Sequence, residues 1–393
     1  MARLTGTRHG PHRSPMTFSE EQLAIRDITR AVVRDLIQPG AAAWDRAGQT
    51  PKEVYTRLGA LGLFGVCVPE SWGGAGADFL SYILMTEELA RGDAGICNAV
   101  NATNAFCLRM LEFATDAQRQ EFLRPTALGE GLACMLLTEP QAGSDAANLR
   151  TRAARQGNRY VVNGEKCFIT SGRSAKHAIL IAVTDPDAGR RGISAFLIRP
   201  GSPGYRVVRE EVKMGHRTSE TCQIALEDLE IPVAHRIGAE GDGLKIAFAG
   251  LESGRIGVAA QAVGIARAAL GAAVDYARER VAFGKPIIEH QAVAFQLADA
   301  ATELEAAAQL CLSAAWLKNS GARCAKEASM AKLFATRMCE TVCSVAMQVH
   351  GGYGYTNDFP VEKLYRDARV LQIYDGTNEV QKMLIARALS DDR

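Results

Sequence analysis

Proton chemistry needs a titratable group held in a defined place. The segment Ile373-Tyr374-Asp375-Gly376-Thr377-Asn378-Glu379 offers such a group in the carboxylate of Asp375. Phosphate chemistry needs cations or bare backbone. Arg280, in Arg278-Glu279-Arg280-Val281-Ala282-Phe283-Gly284, brings a permanent charge and a planar fork suited to a pyrophosphate. The glycines of Gln348-Val349-His350-Gly351-Gly352-Tyr353-Gly354 let backbone approach a ligand closely. Thr138-Glu139-Pro140-Gln141-Ala142-Gly143-Ser144-Asp145 is a turn of small residues and hydroxyls, able to present N–H groups and the Ser144 hydroxyl to a phosphate or a ring edge. Pro69-Glu70-Ser71-Trp72-Gly73-Gly74-Ala75-Gly76 is also glycine-rich. It lacks the Lys and the spacing of a P-loop and reads as a tight connection. His350, alone at a helix end, reads as structural.

These residues fall on three kinds of chain. From Thr17 to about Gly131 the pattern is helical, with Ser19 as an N-cap before Glu20 and Glu21, and further helices over Glu53–Leu63 and Phe79–Arg91. From about Cys134 to Ala239 it turns to strands. Asn163-Gly164 is expected to close a type I′ hairpin between Arg159–Val162 and Glu165–Ile169. Short β-rich runs follow at Ala178–Thr184, Ile193–Arg199, Tyr205–Val212 and Thr221–Leu226, which suggests a small sandwich or barrel. From Gly243 to Ala388 the chain is helical again. Ile256, Ala259, Val263, Ala266, Leu270 and Val274 form one apolar stripe, and alanines such as Ala306–Ala308 permit close packing in a bundle. The fold class is therefore α+β with segregated layers, divided as 17–133, 134–240 and 241–393. Residues 1–16 stand apart. Met1 to Pro15 carries Arg3, Arg8, His9, His12 and Arg13 and no acid, and is expected as a disordered extension or an early start, with Met16 opening the folded part.

Composition sets the class. A chain of 393 residues has room for one to three domains and a large core. With 45 basic and 44 acidic residues the net charge is +1, so no broad field argues for nucleic acid or an anionic membrane. No apolar run is expected to reach the roughly 20 residues of a membrane span. Ten scattered cysteines without a CxxC pair read as reduced, mostly buried thiols of a cytosolic protein, and Cys339 and Cys343, four apart on one helix face, suggest neither metal nor redox chemistry.

Four motifs in order resemble the acyl-CoA dehydrogenase family over about Thr17 to Ala388. Thr138 to Asp145 matches the family's Thr-Glu-Pro-x-Ala-Gly-Ser-Asp. Lys166-Cys167-Phe168-Ile169-Thr170-Ser171 is similar to Lys-x-Trp-Ile-Thr-Asn, with Phe168 and Ser171 substituted. Arg280 to Gln291 matches Arg-x-x-Phe-Gly-x-x-Ile-x-x-x-Gln, and Gln348 to Gly354 matches Gln-x-x-Gly-Gly-x-Gly. The resemblance implies a helical domain, a β domain and a four-helix bundle, assembled as a tetramer or dimer. It implies FAD held by Leu136, Thr138, Gly143, Ser144, Phe168, Ile169, Thr170, Arg280, Phe283, Gln291, Gln348, Gly351, Gly352, Thr377 and Glu379, with Arg280 and Gln291 reaching the flavin of a neighbouring subunit. It places Ser144, Glu252, Arg255 and Gly376 at the substrate, and calls for no metal.

The same resemblance makes Asp375 the base that takes the α proton of an acyl-CoA while the flavin takes the β hydride, giving the trans-2-enoyl-CoA of fatty-acid β-oxidation. The family's usual Glu is here an Asp, shorter by one methylene, about 1.5 Å. Some members carry the base on the helix before Arg255, where this chain has Gly254. Enolate charge is expected to meet the N–H of Gly376 or Thr377. Electron-transfer flavoprotein is the implied acceptor, in the cytoplasm rather than a mitochondrial matrix. Other readings are an acyl-carrier-protein thioester, a nitroalkane-oxidase-like enzyme with an Asp base, and a non-catalytic flavin-binding member. No Arg occupies the Cys97 slot that serves dicarboxylates, and Asn98, Asn101, Thr103 and Asn104 hint at a short or oxygenated acyl group.

Overall fold

The structure is a computed structural model that describes residues 17–391; the expected extension over 1–16 lies outside them. Ser19 caps the first helix with a reciprocal box, its Oγ accepting from Gln22 N–H while the Gln22 side chain accepts from Ser19 N–H. Among the described residues the N-terminal helices are α1 (Glu20–Val32), α2 (Gln38–Ala47), α3 (Lys52–Ala60), α4 (Phe79–Gly92), α5 (Ala94–Phe113) and the short α6 (Asp116–Gln118) and α7 (Arg124–Ala127). Asp78 and Asp93 cap α4 and α5 by accepting from Ser81 and Ile96 N–H.

The strands are β1 (Ala133–Leu136), β2 (Arg152–Gln156), β3 (Arg159–Thr170), β4 (His177–Val183), β5 (Ile193–Ile198), β6 (Tyr205–Glu210), β7 (Thr221–Pro232) and β8 (Arg236–Ile237). They form one sheet in the order β6-β7-β3-β2-β4-β5-β8, with β1 parallel to β4. Strand β4 is buried on both faces. Ile179 and Ile181 pack towards Phe106 and Phe122 of the helices, while Ala178, Leu180 and Ala182 pack towards Tyr160, Val162 and Phe196 of the β core. His177 ties the two layers. Arg199 donates to its Nε2 at 3.1 Å, so its Nδ1–H donates to Thr126 Oγ1 at 2.8 Å.

The hairpin expected at Asn163-Gly164 does not form. Strand β3 runs straight through both residues, and the two-residue turn lies at Gly157-Asn158, between Gln156 and Arg159. Asn163 is spent across the sheet instead, in paired hydrogen bonds of 2.9 Å with Asp228. Gly164 is glycine because Thr151 passes close by, 2.5 Å from where a Cβ would sit.

After α8 (Gly243–Phe248) come α9 (Leu251–Glu279), the two-residue strands β9 (Val281–Ala282) and β10 (Lys285–Pro286), α10 (Gln291–Asn319), α11 (Ala325–His350), α12 (Val361–Arg369) and α13 (Asn378–Asp391). The single stripe expected on α9 understates its burial. Every residue from Arg255 to Ala266 is buried, because α4 and α5 cover one side and α10 and α11 the other. One continuous core therefore joins the N-terminal helices to the C-terminal bundle. The same burial corrects the expectation of no span-length apolar run. An 18-residue window within Gly243–Glu279 reaches a mean hydropathy of 1.5, and 72% of that window is buried inside the fold.

Candidate active site

Asp375 sits on a strained turn. It and Gly376 follow one another at φ 52° and 82°, a left-handed conformation that a short polar side chain such as Asp tolerates better than most. The carboxylate faces the start of α9, its Oδ2 lying 3.4 Å from where a Cβ on Gly254 would be. The alternative base position thus opens on the same space, and it holds no acid. Beside it Tyr374 gives its hydroxyl to Gln261 Oε1, and Gln261 in turn donates to the Ala94 carbonyl at 2.9 Å.

Three buried cations feel the Asp375 charge: Arg109, Arg255 and Lys332. Arg109 donates to the carbonyls of Ala105, Ile246 and Ala247. Arg255 is 7% exposed with its Nε unpartnered. Burial pulls its pKa down, and Asp375 opposes that pull. Arg255 thus lies inside, near Asp375. Glu252 is likewise engaged elsewhere, bound by Lys318 at 3.4 Å and Cys324 Sγ at 3.5 Å at the α10–α11 corner.

A second cluster forms where β1 and β3 end. Phe168 is 66% exposed at φ 56° and Ser171 has φ 56°, so the strand kinks and turns the ring outward. Thr170 receives a long hydrogen bond from Asn98 of α5 at 3.4 Å. The Thr138 turn is fixed to β3 from below. Cys167 N–H donates to the Thr138 carbonyl at 2.9 Å, and the wholly buried Lys166 reaches Glu139 at 2.7 Å and the Leu137 carbonyl at 3.0 Å. Glu139 also accepts from Arg150 and Thr151 N–H. Burial pushes Glu139 up, but Lys166 and these donors outweigh it and hold the carboxyl low. Burial pulls Lys166 down to about 8. Gly143 and Ser144 are exposed at the tip of that turn. Leu136 and Ile169 lie at the same strand ends. Their side chains are 0% and 2% exposed in the β core, which leaves only their backbone for a ligand.

A third cluster unites two distant motifs. Arg280, Tyr276, Ile287, Gly351, Gly352 and Tyr353 line an open cavity of about 440 Å³, completed by Val349, His350 and Thr356. A Cβ on Gly351 or Gly352 would meet nothing, so bare backbone faces the space, and Gly351 is also required by its φ of 60°. His350 is structural as expected, stacked on Tyr276 at 4.3 Å with its Nδ1 bonded to the Ala346 carbonyl. Phe283 projects at 97% exposure with φ 52°, and Gln291 and Gln348 are exposed nearby in the chain. Thr377 accepts from Val380 N–H at 3.4 Å at the start of α13, and Glu379 is exposed on that first turn.

An exposed ring beside hydroxyls at a strand end, a carboxylate on a strained turn, and an arginine–glycine cavity suit a flavoprotein oxidoreductase. These features fit FAD: a planar face and hydroxyls for the ring, a fixed cation and open backbone for the pyrophosphate. Family models described as acyl-CoA dehydrogenase N-terminal, middle and C-terminal domains match residues 19–130, 134–229 and 241–390. An acyl-CoA dehydrogenase of Bacillus subtilis is 45% identical over 95% of this chain and 99% of its own length. The CarC subunit of the caffeyl-CoA reductase-Etf complex of Acetobacterium woodii is 39% identical over 95% of this chain and 99% of its own. The solved butyryl-CoA dehydrogenase of Megasphaera elsdenii superposes with a TM-score of 0.94 at 40% identity, covering 96% of this chain and all of the other. The chain belongs to the acyl-CoA dehydrogenase family. It is an FAD-dependent enzyme that dehydrogenates acyl-CoA thioesters.

Removing the Arg280 charge is expected to weaken FAD retention by about 10–100-fold, the worth of a charge-assisted hydrogen bond. Arg280→Gln protein, dialysed beside wild type, should lose its yellow absorbance near about 450 nm first. Equal retention would separate Arg280 from the cofactor.

Proposed function

We propose that this enzyme acts on a short, straight acyl-CoA, that Asp375 is its base, and that its electrons leave through an electron-transfer flavoprotein. The observation that carries the reading is the convergence of the Asp375 carboxylate on the Gly254 face of α9. The Cα–H bond of the thioester breaks, and its proton passes to the Asp375 carboxylate. Bound FAD supplies the hydride acceptor for the β carbon. Arg255, Lys332 and Arg109 hold the pocket positive and favour the charge that develops on the thioester oxygen. In this reading the backbone N–H of Gly376 or Thr377 donates to that oxygen.

Tyr82, packed against α9, supports the short chain. One turn beyond Gly254, a Cβ at Gly257 would lie 3.2 Å from the Tyr82 hydroxyl, so Tyr82 fills that level. That level lies about one helical turn, roughly 5.4 Å, beyond Gly254, which favours a chain of about four carbons. The polar stretch of α5 argues less for an oxygenated substrate than its composition suggests. Thr103 bonds Ala99 and Ala133, Asn104 bonds Val66, Leu63 and Val100, and Asn101 accepts from Thr86. Asn98 donates to Thr170 and keeps its Oδ1 for a ligand.

The Etf complex of the Acetobacterium relative supports the acceptor. The apolar surface beside the Arg280 cavity, with Phe283 at 97%, Tyr355 at 87% and Val281 at 57% exposure, supports assembly of copies around it as a tetramer or dimer. Ten free cysteines, nine of them buried, support a reducing cytoplasm. A panel of acyl-CoAs from C3 to C12, with their carrier-protein counterparts and a nitroalkane, assayed with an artificial electron acceptor, tests the reading. Highest kcat/KM is expected at C4. A maximum at C8 or above would overturn the short-chain reading, and turnover of carrier-protein thioesters alone would overturn CoA.

A further inference from the structure

We propose that Lys332 is a positioning residue for the Asp375 carboxylate, its buried ammonium pinning the Gly376 carbonyl and so fixing the left-handed turn that carries the base. The inference rests on Asp375 being the base. Lys332 is fully buried on α11, and its Nζ donates to the Gly376 carbonyl at 2.9 Å and to Asn378 Oδ1 at 3.2 Å. Gln381, also fully buried, donates to the same Gly376 carbonyl at 2.9 Å, so both lone pairs are filled. Thr336 Oγ1 holds Asn378 Oδ1 from below at 3.2 Å.

A cation is costly to bury without an anion in contact. Among the described residues Lys332 bonds a carbonyl and an amide oxygen and no carboxylate. A core helix would be served better by an apolar residue there, so the ammonium points to work at the turn. That turn needs it. Asp375 and Gly376 occupy successive left-handed conformations, and such backbone persists only where its surroundings over-determine it. A Cβ at residue 376 would come within 2.9 Å of Gln381 Nε2, so the brace also explains the glycine. Facing Lys332 are Asp375 from the turn, Arg255 from α9 and Glu379 from α13. Burial draws its pKa down to about 8, with Asp375 opposing. The brace is therefore charged at neutral pH and discharges above about pH 8.

The test uses the full-length FAD-loaded enzyme and two readouts. One is flavin reduction by butyryl-CoA. The other is exchange of the α protons of acetyl-CoA with D₂O, which needs the base and has no β carbon to oxidise. Wild type should lose rate in both above about pH 8. Lys332→Met should slow both by about 10²-fold, the effect of a base misplaced by about 1 Å, with KM within a few-fold of wild type and the alkaline limb gone. Butylamine should restore part of the rate to Lys332→Ala. A Lys332→Met enzyme with wild-type kcat, or with the alkaline limb intact, overturns the proposal. If Lys332→Met fails to load FAD, Gln381→Met and the wild-type profile decide, and full rate in the first with a flat profile from pH 7 to pH 9.5 in the second overturns it. Asp375→Asn run alongside separates the two ideas. Wild-type exchange in that variant removes the base itself, whereas a dead Asp375→Asn beside a fully active Lys332→Met removes only the brace.

Discussion

Asp375→Asn should retain FAD and lose flavin reduction by acyl-CoA by about 10²–10⁴-fold, the range a positioned base contributes. The amide keeps the shape of the side chain and cannot accept the proton. Nothing nearby replaces it. Position 254 is glycine, and Glu252 is engaged by Lys318 and Cys324. Rapid-mixing absorbance of the bound flavin reads the loss directly, and bleaching at the wild-type rate would remove Asp375 from the chemistry. Asp375→Glu makes a second case. It adds about 1.5 Å of reach but places a longer side chain at φ 52°, where Asp is favoured over Glu. The expected result is activity on butyryl-CoA equal to or above wild type, with slightly lower stability. A Glu variant dead on every thioester would show a pocket shaped around the shorter arm.

Lys166→Met should destabilise the protein by about 3–5 kcal/mol, because it leaves Glu139 buried without its counter-charge. Glu139 keeps its backbone donors from Arg150 and Thr151, but these do not neutralise it. The thermal transition should fall by roughly 5 °C, and FAD should dissociate more readily because the Thr138 turn loses its anchor on β3. Glu139→Gln alone should be harmful for the mirror reason. The double variant Glu139→Gln/Lys166→Met should lose less than the sum, since both charges are gone. Strict additivity in this cycle would mean that the 2.7 Å pair does not couple the two segments.

Much of this was legible in the sequence because local chemistry dictated it. Ser19 before Glu20, Glu21 and Gln22 is a capping box by residue type alone. The short apolar run Ala178–Val183, rich in Ile and Val, reads as a buried strand. The order of four motifs identified the family, and with it FAD and the carboxylate at 375. Local signals failed where a distant segment intervened. Asn163-Gly164 has the form of a turn, yet β7 pairs with both sides of it and Thr151 demands the glycine. Leu136 and Ile169 belong to motifs whose resemblance implies a cofactor, yet strand alternation sends their side chains into the core.

Lys332 shows the boundary most clearly. Its spacing from Ala328 and Ala335 puts a lysine on the buried face of α11, and that mismatch was visible in the sequence. Its partners, Gly376 and Asn378, lie more than forty residues away, and no periodicity names them. Sequence by itself determined which groups are present and which faces are apolar, because those depend on residue type and helical or strand repeat. Only the tertiary structure decided which buried charges meet which backbone atoms. A burial penalty can be met by any polar group the fold brings near, and that choice is made by chain packing rather than by neighbours in the sequence.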